Sequence, residues 1–94
     1  MSKFQIKFIY VPYNAENTFI PDLNIIKTTA IVTHTEDKTI SQFHIKLNDI
    51  GLDSYFGEFH IINDSNFWKT SDTDSNELNQ LKENIINELH ILGY

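Results

Sequence analysis

Residues 3 to 11, KFQIKFIYV, alternate apolar and polar positions along their whole length. Period two in β-forming residues predicts a strand with one buried face, Phe4, Ile6, Phe8 and Tyr10 pointing inward and Lys3, Gln5 and Lys7 outward. Pro12 ends the ladder. Residues 13 to 23, YNAENTFIPDL, read as a long connection broken again at Pro21, with Phe19 and Ile20 folded back under the sheet.

The next alternation is double. Residues 25 to 34, IIKTTAIVTH, and 39 to 47, TISQFHIKL, are rich in β-branched side chains and flank TEDK, which predicts a hairpin turning at Glu36 and Asp37. The register this implies pairs Ala30 with Phe43, Thr28 with Ile45 and Ile26 with Leu47, leaving Lys27, Thr29, His44 and Lys46 on the opposite face. After a loop, NDIGLD, residues 54 to 62, SYFGEFHII, are expected to form a fourth strand. With Phe43 opposite Phe59, Tyr55, Gly57, Phe59 and Ile61 point to the core, and Phe56, Glu58, His60 and Ile62 point away. Gly57 then marks a bulge or a close backbone approach.

Near the end of the sequence the period changes. Leu78, Leu81, Ile85, Leu89 and Leu92 recur at spacings of three and four, the stripe of a helix from about 75 to 92. Asp74 followed by Glu77 reads as a capping box, and Gly93 is placed for the C-terminal cap. Each large apolar side chain buried from that stripe contributes roughly 1.5–3 kcal/mol, so the helix must dock on the sheet. The fold class is therefore α+β: an antiparallel sheet of about four strands with one C-terminal amphipathic helix packed on one face. A chain of 94 residues is expected to close a single core, so residues 1–94 read as one domain.

Composition narrows the chemistry. The chain has no cysteine, which removes disulfides and thiolate metal sites and suits a reducing compartment. Lys7 splits the first apolar run and Pro12 ends it before it reaches signal-peptide length. No stretch approaches the roughly 20 apolar residues of a membrane span, so the expectation is a soluble, cytoplasmic protein. Abundant Ile and Asn with no Arg suggest an AT-rich genome, bacterial or phage.

The net charge of −6 is unevenly spread. Residues 1 to 46 carry five Lys against four acids, whereas residues 47 to 94 carry two Lys against nine. All seven basic residues are Lys. Without the Arg fork, direct nucleic-acid binding is not expected, and an acidic half steers basic proteins instead.

Three constellations carry candidate chemistry. Asp72, Asp74, Asn76, Leu78, Gln80 and Glu83 take the ligand positions of a calcium loop, but Glu77 stands where the turn needs Gly and the helical stripe already claims Leu78 to Glu83. Capping explains these acids more simply. His44, His60 and Glu58 would share the outer sheet face, the composition of a zinc or iron site, and they form the alternative reading of a metal-binding protein or small metalloenzyme. His34 near the hairpin end and His90 near the helix C-terminus need no such role. Nucleophilic catalysis lacks a Cys or a Ser elbow, and phosphate binding lacks a Gly-rich loop.

The third constellation is Phe67 and Trp68 in the polar run NDSNFWKTSDTDSNE. The pair either plugs the end of the sheet and helix core or anchors a partner inside an acidic rim. The leading expectation is an acidic, non-enzymatic binding protein that needs no cofactor and neutralises a basic protein partner, of toxin-immunity or anti-defence type. Trp68, Phe67, Asp49, Asp53, Glu58, Asp64, Asp72 and Asp74 would form its contact surface. An assembly subunit or homodimer pairing through an exposed strand edge is the remaining alternative.

Overall fold

The computed structural model describes residues 1–11, 26–69 and 74–94. The expected placement of Phe19 and Ile20 and the role of Asp72 fall outside these residues. Five antiparallel strands form one sheet: β1 Ser2–Tyr10, β2 Ile26–Asp37, β3 Ile40–Leu47, β4 Phe59–Asp64 and β5 Phe67–Lys69. They lie side by side in chain order, a meander. Helix α1, Ile50–Phe56, connects β3 to β4, and α2, Asn76–Ile91, follows β5 and packs on one face of the sheet.

The alternation of β1 holds as expected: Ile6, Phe8 and Tyr10 are buried and Lys3, Gln5 and Lys7 are exposed. The core consists of those side chains, Ala30 and Val32 of β2, Phe43, Ile45 and Leu47 of β3, Phe59 and Ile61 of β4, Leu52 of α1, and Leu81, Ile85 and Leu89 of α2. Leu92, the last member of the helical stripe, lies beyond the end of α2 and is 55% exposed.

The hairpin register differs from the expected one. Ala30 pairs with Leu47, Val32 with Ile45 and His34 with Phe43, because the turn is made by Lys38 and Thr39 rather than Glu36 and Asp37. Moving the turn lets Glu36 and Asp37 pair with Ser41 and Ile40, so the ladder gains hydrogen bonds while the carboxylates stay in water. The two-residue turn needs a left-handed residue, and Lys38 supplies it at φ 58°. Each strand is shifted by an even number, so every side chain keeps its expected face.

A larger difference lies at residues 50–56, which form α1 where a loop running into a strand was expected. Asp49 caps this helix by accepting the Leu52 N–H at 2.9 Å, and Gly57, at φ 69°, ends it. Gly57 is thus a helix cap and not a bulge. Leu52 and Phe56, four residues apart, turn inward, and Phe56 meets the edge of Tyr10 at 5.9 Å. Tyr55 therefore does not reach the core; it is 72% exposed. With β4 beginning only at Phe59, Phe43 faces Ile61 and His44 faces His60.

Two smaller corrections concern the acidic run. Ser65 and Asn66, both at positive φ, make a tight turn that returns the chain as β5, a strand the polar composition concealed. The cap of α2 is Ser75, whose hydroxyl accepts the Leu78 N–H, rather than Asp74. At the other end Tyr94 N–H donates to the Leu89 carbonyl and Gly93 N–H to that of His90, with Gly93 at φ 100°. These paired bonds are a Schellman motif, as the position of Gly93 anticipated.

Candidate functional site

Helix α2 runs antiparallel to β1. Asn84 Oδ1 accepts the Val11 N–H at 3.0 Å, and Tyr94 stacks on Phe4 with centroids 5.7 Å apart. The start of α2 therefore lies at the Tyr10 end of the sheet, where α1 also sits. Tyr10 records that meeting. Its hydroxyl is pushed above the ordinary value of 10.0, first by burial, then by the negative charge of Glu77 and the nearby Tyr55.

The sign of the stability effect follows. A raised pKa means that the folded protein holds the proton more tightly, so Tyr10 contributes fully below pH 10.0 and loses its contribution as pH rises through the folded value. Alkaline titration followed by tyrosinate absorbance should show an ionisation above pH 10.0 that disappears in Tyr10→Phe, and that variant should flatten the fall in melting temperature above pH 10.0.

The proposed contact residues of the acidic half do not converge. Trp68 faces the helix: its Nε1–H donates to His90 Nε2 at 2.9 Å, and its ring lies 5.6 Å from that of Phe43. The indole is thus part of the packing between sheet and helix. Phe67, its neighbour, points to the other side of the sheet and is 76% exposed. Asp64, opposite Phe67 in the ladder, binds Lys69 at 3.2 Å and the Ser65 hydroxyl. Glu58 meets His44 Nε2 at 3.0 Å. Asp74 accepts from the buried Lys82 at 2.6 Å. Asp49 and Asp53 belong to α1, at the Leu47 end of β3, whereas the turn before Phe67 lies at the Ile40 end, roughly 25 Å away for eight strand residues.

What gathers instead is a different set. Asp49 and Asp53 on α1 and Glu77 in the first turn of α2 share one end of the molecule with Tyr55 and with Ile50, which is 84% exposed. Tyr55 and Ile50 were not expected to act, because Tyr55 had been assigned to a buried strand face. The signal that could have found them is the spacing of Asp49, Leu52, Phe56 and Gly57, which spells a capped two-turn helix.

All three residues of the metal reading come together around His44. His44 and His60 lie ring to ring at 4.9 Å, and Glu58 reaches His44. Among the described residues, however, no three His, Cys, Asp or Glu side chains are arranged to hold one ion. Two concavities lie elsewhere. One, about 370 Å³, sits beneath the hairpin ends and is lined by His34, Phe43 and Tyr94 among others. His34 packs flat on Phe43 at 4.6 Å, and its Nε2 is buried without a hydrogen-bond partner. The other, about 440 Å³, lies along β1 and β2 beside Lys7, Ile9 and Lys27.

No helix among the described residues is long and apolar enough to cross a membrane. No protein-family model matches the chain, and neither a curated protein nor a solved structure does.

Proposed function

We propose that the protein is a non-catalytic binding module that captures a basic protein partner on the acidic end built by α1 and the start of α2. The observation that supports this reading is Tyr55, 72% exposed on a short capped helix at the same end of the molecule as Asp49, Asp53 and Glu77. An aromatic anchor with a polar tip, held on a capped helix at an acidic end of the molecule, suits a cationic surface. Ile50, 84% exposed on the same helix, adds apolar surface at that end. The role matches an immunity or anti-defence protein, whose target would carry a groove lined with Lys and Arg for nucleic acid. Relative to the arrangement expected from the sequence, the anchor moves from Trp68 to Tyr55. Of the acids first assigned to the contact surface, Asp49 and Asp53 remain.

The immobilised protein, exposed to lysate of a bacterial host at low ionic strength, should retain basic proteins that elute as salt rises, because surface charges are screened within about 8 Å at physiological ionic strength. Tyr55→Ala and the double variant Asp53→Asn with Glu77→Gln should lose that capture with little change in melting temperature. Capture that persists in both variants, or the absence of any retained basic protein, would sink the proposal.

A further inference from the structure

The meander leaves one face of the sheet without a helix over it among the described residues, and charge sorts onto that face. Lys3 and Lys7 of β1, Lys27 of β2, Lys46 of β3 and Lys69 of β5 all project there, five of the seven lysines in the chain. Three acids share the surface: Glu58, engaged by His44, Asp64, engaged by Lys69, and Asp37 at the hairpin end of β2, away from Lys7 and Lys27. Lys3, Lys7, Lys27 and Lys46 have no carboxylate within ion-pair distance among the described residues. The helical side is the reverse, with Asp49, Asp53, Glu77, Glu83 and Glu88 on or capping α1 and α2 and Asp74 just before the cap of α2, against Lys82 alone.

We propose that this open face binds single-stranded nucleic acid along its backbone. Four lysines on neighbouring strands, without an ion-pair partner among the described residues, form a cationic half-sheet; the cleft beside Lys7 and Lys27 also takes in Phe8, Thr28 and Glu88 of α2, and so marks the border between this face and the helical side. Next to the lysines, His44 and His60 present paired rings in mid-sheet, and Phe67 stands exposed at the far edge. Flat rings beside a cationic track are what unstacked bases require. The absence of Arg sets the mode of binding. Lysine is a point charge without a bidentate fork, so the face follows phosphates and does not read base edges. No described element stands out from this surface to enter a duplex groove, which favours single strands.

This inference goes beyond the capture of a basic partner and rests on the opposite side of the molecule, so either can fail with the other intact. A fluorescein-labelled oligouridylate should show a rise in anisotropy when titrated with the full chain at low salt. The logarithm of affinity should fall against the logarithm of salt with a slope of about −2 to −3, as expected for three or four phosphate contacts by a single strand. Lys7→Ala and Lys27→Ala should each make that slope shallower by about 0.7. His60→Ala should weaken binding at least about fivefold through lost stacking, with the melting temperature serving as the check on folding. Any of three results would overturn the inference: no anisotropy change at the lowest salt, slopes unaltered by the lysine variants, or equal competition by duplex DNA or polyglutamate.

Discussion

Replacing Asp74 by alanine should lower stability by about 3 kcal/mol, whereas replacing its partner Lys82 by methionine should change it little or raise it. Lys82 is the one charged side chain buried among the described residues, and its ammonium holds Asp74 at 2.6 Å and lies 6.0 Å from the centre of the Phe59 ring. Removing the carboxylate leaves a buried cation with only the ring facing it. Removing the cation instead lets a flexible apolar chain fill the same volume and frees Asp74 to reach water. The expected value sits at the low end for buried pairs because 10% of the Lys82 side chain and 17% of Asp74 still meet solvent. Urea unfolding of the two variants measures the asymmetry. Equal losses in both would show that the pair is a net source of stability and not a tolerated cost.

The second large effect lies at Phe43. This residue is fully buried in β3 and touches three rings at once: His34 at 4.6 Å, Tyr94 at 5.2 Å and Trp68 at 5.6 Å. Phe43→Ala should cost about 3–5 kcal/mol, the usual loss when a core aromatic is truncated and its neighbours cannot collapse. Domains of this size are stable by roughly 0.05–0.15 kcal/mol per residue, about 5–14 kcal/mol for this chain, so the variant should lose a large share of its stability and melt well below the parent. Phe43→Leu should keep more of the stability, since it leaves a smaller cavity than alanine. Calorimetry of both variants checks the order. A Phe43→Ala protein that melts near the parent temperature would mean that the three rings are not packed as described.

Of the four elements expected from the sequence and found, β1, β2, β3 and α2, the first and last are those in which one period runs long enough to stand alone. Phe4 to Tyr10 and Leu78 to Leu89 each repeat without interruption. Register could be read only in part. The alternation of Ala30, Phe43, Ile45 and Leu47 defines a face, but any even slip preserves it, and a Lys at positive φ is not a residue that announces a turn. Helix α1 was hidden because Ser54, Tyr55 and Phe56 favour strands, and β5 because three residues with one inward side chain carry no period. The lysine face was legible position by position, yet a charge balance taken over halves of the chain dispersed it. Strands from both halves contribute to one surface, so charge here sorts by face and not by sequence.

The pairing of β1 with α2 has a kinetic consequence. Every strand contact in the meander joins neighbours in the chain, and the β2–β3 and β4–β5 hairpins can close early over two-residue turns. The contacts that cover the sheet are remote: Val11 waits for Asn84 and Phe4 for Tyr94. On the ribosome the sheet would therefore be assembled with Ile6, Phe8, Val32 and Phe43 still bare, and would remain open to other chains until α2 emerged.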